Sequence, residues 1–336
     1  MPTVGYGNRT RYWQIYAFQH PPEGYVYKRA LDIPLRQLNR YLKRTNQFLA
    51  NTKFFLPFQG CDLYHTYNGI VPGPRPWVAE VESLLPRYGN MPVDSRLYQW
   101  AVNRIRSKWC RALIYTSEYT RSMNQPNMEK WGVDPDKQYV VYRAVEPLGS
   151  KLNGSESELH VVFVGNGFYR KGGLELLKAF ERIPEKDIKL TIVSSFEIDW
   201  AIYPSIEQQE YVKRCLSRDN RIFWYENVPH SEVEQIMQKG HVYVNTTFAD
   251  TFNNSILEAM SCGMSIISSD IRAIPEFVYN GENGFTTSIS HKDREEVVDF
   301  IEDRFRTYLH DSDLRKKHGQ RSLNIVKENF TVSARI

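Results

Sequence analysis

Cysteine is scarce in this chain of 336 residues, and the four cysteines lie far apart. None of them forms a CxxC pair, which argues against a zinc site and predicts reduced, mostly buried thiols at Cys61, Cys110, Cys215 and Cys262. Long apolar runs are missing too, since none approaches the roughly 20 residues of a membrane-spanning helix. The first residues, MPTVGYGNRTRYW, lack the apolar segment of a signal peptide. We therefore expect a cytoplasmic protein.

Positive charge is unevenly distributed along the chain. Residues 1–145 hold 20 Lys and Arg against 10 Asp and Glu, whereas the remaining residues hold 23 against 29. This asymmetry has two explanations of equal weight: an anionic partner, such as a membrane contacted peripherally, or the solvated faces of basic helices. A nucleic acid is not predicted as a partner, because no recognised nucleic-acid-binding module is present.

Apolar runs of strand length alternate with amphipathic helical stretches, which predicts an α/β protein with parallel, doubly wound sheets. In the C-terminal half we predict strands at residues 160–165, 189–195, 221–226 and 241–247, with helices at 172–183, 206–218 and 231–240. A further helix is predicted to start at Glu276. In the N-terminal half we predict strands at 12–18, 61–68, 76–83, 111–118 and 139–147, with helices at 34–50 and 96–110.

The segment before the second half is rich in Gly, Ser and charged residues, which is typical of a linker. We therefore predict an N-terminal domain at residues 1–147, a linker at 148–158 and a C-terminal domain at 159–336. The length of the chain is sufficient for two domains of ordinary size.

A glycine-rich turn, GNGFYRKGG at residues 165–173, follows one predicted strand and opens a helix. Its glycines, among them Gly165 and Gly167, let the backbone approach a ligand closely. Arg170 and Lys171 stand at the helix N-terminus, where cations are locally unfavourable, so a bound diphosphate would explain their presence. A solvent-exposed basic turn is the alternative explanation. The turn matches neither the dinucleotide fingerprint nor the P-loop.

A polar loop, ADTFNNS, lies between the apolar run VYVNTTF and a predicted helix, SILEAMSCG. Phosphate binds readily where a parallel strand ends beside a helix N-terminus. Asn253, Asn254 or Ser255 can cap that helix. Asp250 and Glu258 bracket the loop, and a carboxylate accepts well from the adjacent hydroxyl groups of a ribose. The alternative is that Glu258 interacts with the helix dipole and Asp250 forms the turn.

Three polar residues of the N-terminal half are further candidates for contact with a sugar. His65 ends the predicted strand CDLYH. Glu80 and Glu82 alternate with Val81 on another predicted strand and would therefore share one face. Two carboxylates near a strand end suit hydroxyl binding or catalysis. A structural role for a lone His and solvation at a sheet edge are the alternatives.

Together these motifs resemble those of a known family. Asp250 and Glu258 are separated by the seven residues TFNNSIL and continue into EAMSCG, and the glycine-rich turn ends in Arg170-Lys171-Gly172. In these features residues 160–330 resemble the nucleotide-sugar-binding domain of family 4 retaining glycosyltransferases. The resemblance implies the GT-B fold, in which two Rossmann-like doubly wound domains face a central cleft.

The resemblance also implies roles for individual residues. Glu258 would bind the ribose hydroxyls, Asp250 the donor sugar, and Arg170 and Lys171 the diphosphate. The other donor-binding residues would be Gly165, Asn166, Gly167, Thr251, Phe252, Asn253, Asn254 and Ser255. The acceptor or sugar side would include His65, Glu80 and Glu82. The chain departs from the family pattern at three positions, namely Asp250 in place of Glu, Asn166 in place of a frequent Arg, and Glu82 in place of a frequent His.

The activity implied is transfer of a sugar from a nucleotide diphosphate sugar to an acceptor, with retention of anomeric configuration. The acceptor would be a glycan, a lipid-linked sugar or a small molecule, and the process glycan biosynthesis. Neither a cofactor nor a metal is expected, because protein cations replace the metal in this family. Two alternatives stay open: a non-catalytic protein that binds nucleotide sugars, and an epimerase or phosphorylase with the same fold.

Overall fold

The computed structural model describes residues 1–7, 21–33, 35, 41, 46–151, 158–197, 202–289 and 293–335. In these residues the strands form two six-stranded sheets. The strands of both sheets pair in parallel, so the predicted α/β architecture is confirmed. The chain divides into a first unit made mainly of Met1–Ala144 and a second unit of Val145–Ala334.

The first unit alternates strands and helices. Its elements are β1 (Thr3–Gly7), β2 (Val26–Ala30), α1 (Gln47–Asn51), β3 (Leu63–Tyr67), β4 (Trp77–Val81), α2 (Arg96–Arg106), β5 (Cys110–Tyr115), α3 (Glu118–Lys130), a 3₁₀ turn (Pro135–Lys137) and β6 (Gln138–Val140). The spatial order is β2-β1-β3-β4-β5-β6. All five residues of β4 are buried, because a strand inside a parallel sheet is covered on both faces.

The second unit repeats this alternation. Its elements are β7 (Leu159–Val164), α4 (Gly173–Glu181), β8 (Ile188–Val193), α5 (Ile206–Arg218), β9 (Ile222–Tyr225), α6 (His230–Gln238), β10 (Val242–Asn245), α7 (Asn254–Ser261), β11 (Ser265–Ser269), a 3₁₀ turn (Ile274–Glu276), β12 (Gly284–Thr287), α8 (Arg294–His310), α9 (Ser312–Asn329) and a final 3₁₀ turn (Ser333–Arg335). The spatial order is β12-β11-β10-β7-β8-β9.

This strand order places a topological switch point between β7 and β10. From β7 the chain proceeds outward through β8 and β9 on one side, and then returns to continue through β10, β11 and β12 on the other. The loops that leave the carboxyl ends of β7 and β10 therefore run in opposite directions and leave a crevice, which is where open parallel sheets bind ligands. The glycine-rich turn follows β7, and the ADTFNNS loop follows β10.

The structure bears on the cysteines, on membrane-spanning helices and on metal ligands. All four cysteines are free; Cys110, Cys215 and Cys262 are buried and Cys61 is partly buried, as predicted. Among the helices in the described part of the chain, none is both long and apolar enough to cross a membrane. The described residues contain no group of three or more His, Cys, Asp or Glu side chains able to hold a metal ion.

Several predicted elements differ from the structure. The strand predicted at 12–18 lies outside the described residues, as does most of the helix predicted at 34–50, of which the structure shows α1. The strand predicted at 139–147 is reduced to β6, and residues 141–147 form no strand. The helix predicted to start at Glu276 is wrong: Glu276 ends a single 3₁₀ turn, and Phe277 leaves the helical region with a φ of −142°.

The elements without a predicted counterpart include β1, β2, α3 and β12. The strands are short, and β1 contains two glycines in the sequence TVGYG. The helix α3 contains Pro126 in its interior, a residue that normally ends a helix because it lacks a backbone N–H. It begins with Ser117 as the N-cap, whose hydroxyl accepts from the Thr120 backbone N–H, and this cap compensates in part.

Candidate functional site

The glycine-rich turn and the loop after β10 are joined to each other. The backbone N–H of Phe248 donates to the carbonyl oxygen of Arg170 at 2.9 Å. The Arg170 guanidinium in return donates to the carbonyl oxygen of Ala249. The two motifs identified in the sequence therefore meet at the switch point. One of the hydrogen bonds that the Arg170 side chain donates fixes their relative position.

Lys171 and Arg170 converge on Asp250. The Lys171 Nζ lies 3.1 Å from the Asp250 Oδ2, and the nearer Arg170 nitrogen lies 3.7 Å from the same oxygen. Both cations are 9% exposed, and the Asp250 carboxylate also accepts from the backbone N–H of Asn253. Burial acts to raise the pKa of the Asp250 carboxyl, but the charges of Lys171 and Arg170 outweigh burial and hold that pKa below its usual range.

The pairing explains why two cations are tolerated next to the N-terminus of α4. Asp250 supplies a negative charge that offsets the local repulsion from the helix dipole. Two cations against one carboxylate still leave one positive charge among these three residues. This excess is buried, where electrostatic attraction is stronger than in water, and it suits a ligand that carries more than one negative charge.

Glycine at position 165 is required by the path of the lysine side chain. A Cβ on Gly165 would lie 2.9 Å from the Cδ of Lys171, so the aliphatic part of Lys171 passes directly over this residue. The neighbouring Asn166 accepts from the hydroxyl of Ser195 at 3.3 Å, which ties the turn to the end of β8. The glycine-rich turn thus guides Lys171 toward Asp250.

The start of α7 is built from buried polar side chains. Asn253, one of the three predicted candidates, occupies the N-cap position with a left-handed φ of 56°, but its side chain makes no capping hydrogen bond. Instead Asn253 donates to Asn245 at 3.0 Å and accepts from the Ser255 hydroxyl at 2.9 Å. Tyr243 donates to the same hydroxyl at 2.7 Å. This network fixes the direction of the loop at the end of β10.

The other residues predicted around the donor are placed as follows. Phe252 is buried, and its ring packs against Phe277 at a centroid distance of 5.3 Å, so its side chain belongs to the core and does not face a ligand. Thr251 is partly buried in the loop, and Asn254 is the first residue of α7. Gly167 has a left-handed φ of 79° in the turn after β7.

Glu258 lies in the second turn of α7 and faces a histidine of α6. The His230 Nε2 lies 3.6 Å from the Glu258 Oε1, and the His230 Nδ1 lies 3.3 Å from the Glu234 Oε1. The pKa of His230 is raised, first by the nearby Glu258 carboxylate and against the effect of burial, with Glu234 contributing less. The sequence did not reveal this pair, because only the packing of α6 on α7 brings the two residues together.

Replacing Glu258 with Gln should lower the pKa of His230 toward its ordinary value of about 6.5, because the main group favouring the charged ring is lost. Replacing Glu234 with Gln is the matched control and should lower that pKa less. NMR titration of the His230 ring in the three proteins measures both effects. Since the folded-state pKa is raised, the His230–Glu258 attraction is fully present at low pH and is lost as the pH rises through that value. Equal decreases in the pKa of His230 in both variants would contradict the conclusion that Glu258 affects this pKa more than Glu234 does.

In the first unit, the predicted residues occupy two neighbouring hydrogen-bonded groups. The Tyr27 hydroxyl lies 3.2 Å from the Nδ1 of His65. Tyr67 donates to Glu82, and Arg143 donates to Glu82 at 3.0 Å and to the Tyr67 hydroxyl at 2.8 Å. His65 and Arg143 are both buried. The contact of the buried His65 with Tyr27 fits the structural role that was the alternative for this histidine.

Glu80 is buried near both groups, whereas Glu82 lies beyond the end of β4. Burial, followed by the charge of Glu80, raises the pKa of Tyr27 to about 12, which shows that this carboxylate lies close to the tyrosine. Because β4 ends at Val81, the strand predicted at 76–83 is too long and Glu82 lies outside it, but the charges of Glu80 and Glu82 both act on Arg143. Tyr67 and Arg143 were not predicted as site residues. The buried Arg143 pairs with Glu82 and holds it in place.

Comparison with known proteins agrees with the position of these motifs. Residues 158–306 match the family described as glycosyl transferases group 1. This segment includes Arg170, Lys171, Asp250 and Glu258. The match therefore covers most of the second unit, from β7 into α8.

The relatives are distant and longer than this chain. An uncharacterized glycosyltransferase of Methanocaldococcus jannaschii is 24% identical over 204 residues, which cover 57% of this chain and 48% of that protein. The alpha-maltose-1-phosphate synthase of Mycolicibacterium smegmatis is 22% identical over 213 residues, which cover 59% of this chain and 54% of that protein. The chain thus spans about half the length of these relatives.

Solved structures match the whole chain. Sucrose-phosphate synthase of Thermosynechococcus elongatus superimposes with a TM-score of 0.68 at 14% identity, over 99% of this chain and 96% of that one. Anabaena HepE in complex with UDP superimposes with a TM-score of 0.65 at 16% identity, over the same shares. These similarities confirm the predicted GT-B fold, with two Rossmann-like sheets of six parallel strands.

Proposed function

We propose that the protein is a retaining glycosyltransferase that transfers a sugar from a nucleotide diphosphate sugar to an acceptor. The observation that carries the proposal is the group at the switch point in which the buried cations Arg170 and Lys171 face the partly buried Asp250, with one positive charge in excess among the three residues. An anion-binding site at this place in a parallel sheet suits a diphosphate. The group 1 match over residues 158–306 supports the same activity.

Within this proposal Glu258 binds the ribose of the donor. It lies on α7, which directly follows the loop that contains Asp250, and a carboxylate accepts from two adjacent hydroxyl groups. Asp250 is assigned to the donor sugar, and the loop residues Thr251–Ser255 complete the donor site with backbone groups and the N-terminus of α7. UDP is the first nucleotide to test, because the solved HepE structures contain UDP and UDP-glucose.

Lys171 and Arg170 would act on the leaving group. When the bond between the sugar and the diphosphate breaks, negative charge grows on the diphosphate oxygens. Cations already fixed and partly desolvated stabilise that charge without reorganising, and this kind of electrostatic term is often the largest in enzymatic catalysis. We assign the role to the protein cations and not to a metal or cofactor; addition of EDTA should therefore leave the transfer rate unchanged.

The acceptor side and the location belong to the same proposal. His65, Glu80 and Glu82 would contact the acceptor or the transferred sugar from the first unit. The acceptor would be a glycan, a small molecule or a lipid-linked sugar in glycan biosynthesis, and the protein would work in the cytoplasm with peripheral contact to an anionic membrane. The excess positive charge of residues 1–145 supports the last point.

The direct test is incubation of the purified protein with UDP-, GDP- and ADP-sugars, with and without candidate acceptors. Release of nucleoside diphosphate together with a glycosylated product is the expected result, and the ¹H coupling constant at the new anomeric centre reports retention. Binding without turnover would favour a non-catalytic binding protein. Isomerisation of the sugar without acceptor would indicate an epimerase, and dependence on inorganic phosphate a phosphorylase.

Replacing Glu258 with Gln should raise the Kd for UDP by about 10- to 100-fold, because a hydrogen bond to a charged group contributes about 1.5–3 kcal/mol. Isothermal titration calorimetry measures the change. The control is Glu234 replaced with Gln, which also alters a contact of His230 but lies outside the proposed ribose site. If both variants bind UDP as the parent does, Glu258 does not bind the ribose.

A further inference from the structure

Arg294 is an arginine whose own helix does not explain its position. It is the first residue of α8, where the helix dipole disfavours a cation. The two residues that follow, Glu295 and Glu296, have the charge that this end of a helix favours. The reason for an arginine at this place therefore lies in its contacts with other elements of the second unit.

The first of these contacts is with a buried carboxylate of α4. The Arg294 Nη1 donates to the Glu175 Oε1 at 2.5 Å. The side chain of Glu175 is 2% exposed, and a glutamate is rarely buried to this degree unless it is paired. Within the described part of the chain Arg294 is the cation that pairs with it, and the Glu175 Oε2 has no hydrogen-bond partner there. Loss of the arginine would leave a buried charge alone, so the guanidinium is firmly held.

The second contact is with an aromatic ring in the loop after β10. The Arg294 Cζ lies over the ring of Phe248, 4.2 Å from its centroid, which is well within the range of a cation–π contact. Phe248 is partly buried and also packs against the core of the second unit. Arg294 therefore joins three elements, namely α8, which carries it, α4 through Glu175, and the loop through Phe248.

Phe248 lies two residues before Asp250 and is bonded to the glycine-rich turn. Its backbone N–H donates to the carbonyl oxygen of Arg170 at 2.9 Å, and the Arg170 guanidinium donates to the carbonyl oxygen of Ala249. A shift of the Phe248 ring would move the backbone that takes part in these two hydrogen bonds. The position of the Asp250 carboxylate therefore depends on where the Phe248 ring is held.

We propose that Arg294 is a positioning residue for the candidate donor site. Its guanidinium, anchored by Glu175, holds the Phe248 ring and thereby fixes the loop from which Asp250 contacts the donor sugar. The inference rests on the proposed function in the claim that this loop meets a donor, whereas the hold of Arg294 on the loop does not depend on it. A displacement of about 1 Å can cost about 100-fold in rate, so a contact outside the site can control the reaction.

General packing of α8 on α4 is the other explanation of these contacts, and Arg182 distinguishes the two. It stands at the end of α4 and pairs with Glu295, Asp299 and Glu302 of α8. Its side chain is 37% exposed, close to the 40% of Arg294. Arg182 thus connects the same two helices, but its ion-pair partners among the described residues all lie on α8 and none in the loop after β10.

The first test is hydrogen–deuterium exchange of the full chain without ligand, followed in the loop at residues 246–251. Replacing Phe248 with Leu should speed this exchange about 10-fold, the loss expected for a partly desolvated cation–π contact. Leu keeps an apolar side chain against the core and leaves the pair of Arg294 and Glu175 in place, so this variant should fold. Replacing Arg294 with Met should have the same effect, and the double variant should exchange no faster than either single one. Replacing Arg182 with Met should not alter the exchange.

A further double variant separates positioning from stability. Replacing Arg294 with Met leaves the Glu175 carboxylate without its cation, which should lower the Tm. Replacing Glu175 with Gln in the same protein removes the buried charge and should raise the Tm toward that of the parent, but the loop should still exchange fast. Slow loop exchange restored together with the Tm would assign Arg294 to stability alone and would overturn the proposal.

Transfer kinetics provide the second test. The kcat at saturating donor should fall about 10- to 100-fold in the Arg294→Met and Phe248→Leu variants, because Asp250 no longer holds the sugar in place. The Kd for UDP, measured by calorimetry, should stay close to that of the parent, since UDP carries no sugar for Asp250 to contact. A general loss of structure would raise that Kd as well. Arg182→Met should leave both quantities unchanged, and an equal fall of kcat in this variant would overturn the positioning role.

Loop exchange and sugar transfer are measured separately. Faster loop exchange in the two variants of a protein that transfers no sugar would contradict the proposed function and support the hold of Arg294 on the loop. Unchanged loop exchange in both variants would overturn that hold. Transfer by both variants with the kcat of the parent would overturn the positioning role and leave the proposed function intact.

Discussion

Replacing Lys171 with Met should lower the rate of sugar transfer at saturating donor by about 100- to 1,000-fold, the usual effect of removing one fixed group that stabilises charge in a transition state. Lys171 is the cation nearest to Asp250 and is buried, so its charge acts in a site where water screens little. Met keeps most of the volume of the side chain over Gly165. Steady-state kinetics should show the loss mainly in kcat.

The matched control is Lys178 replaced with Met, on the helix α4 that follows Lys171, where its side chain is 41% exposed and paired with Glu295. It should leave kcat unchanged. Because loss of Lys171 leaves the partly buried Asp250 carboxylate with Arg170 as its remaining cation among these residues, the double variant with Asp250 replaced by Asn tests folding: it should recover thermal stability but not activity. A Lys171→Met protein with normal kcat would refute the assignment of Lys171 to the leaving group.

Replacing Gly172 with Ala should lower the free energy of unfolding by about 2–5 kcal/mol, the sum of left-handed strain and overpacking. Gly172 has a φ of 82°, and a Cβ there would overlap the Thr246 hydroxyl and lie 2.8 Å from the Thr246 carbonyl oxygen. The close approach of the glycine-rich turn to the loop after β10 depends on this absence of a side chain. Urea unfolding, followed by fluorescence, measures the loss.

Gly281 provides the control for that variant. Its φ of 81° is nearly identical, but a Cβ there would meet nothing within 4 Å. Gly281→Ala should therefore lose only the strain contribution, about 1–2 kcal/mol. Equal losses in the two variants would show that backbone strain alone, and not the contact between turn and loop, makes Gly172 necessary.

The second unit was predictable because its signals are local. Its central strands are short apolar runs that become completely buried, as in β7, and each is followed by a helix. The bounds predicted for α5 were correct to the residue, since Ser205 and Gln208 form a reciprocal capping box that marks the start of the helix in the sequence. The two candidate ligand-binding motifs could be located for the same reason: they occupy the first positions after strands.

The first unit gave weaker signals. β1 contains glycines at alternate positions, and α3 contains a proline, so local preference opposes the structure that tertiary packing imposes. Gly5 illustrates the cause: a Cβ there would come within 2.7 Å of the Cys61 sulfur and 3.0 Å of Ala30. Close packing between strands requires glycine at this position, although glycine is a poor strand former. No local sequence pattern predicts that requirement.

Pairings within the candidate site were beyond the reach of the sequence. Lys171 and Asp250 were each assigned to a different part of the donor, and nothing local indicates that they pair with one another. The contact between His230 and Glu258 and the one between Arg143 and Glu82 likewise depend on packing between distant elements. The sequence identifies which residue types gather at the strand ends, whereas their partners follow from the three-dimensional arrangement.

The contact between Asp250 and the two cations has a consequence for donor affinity. Stripping water from a lysine and an arginine is costly, and here folding has already done it, with the aspartate serving as a placeholder anion. A diphosphate bound there as proposed would meet cations that are already dehydrated and held in position, so that little ordering would remain at the moment of binding.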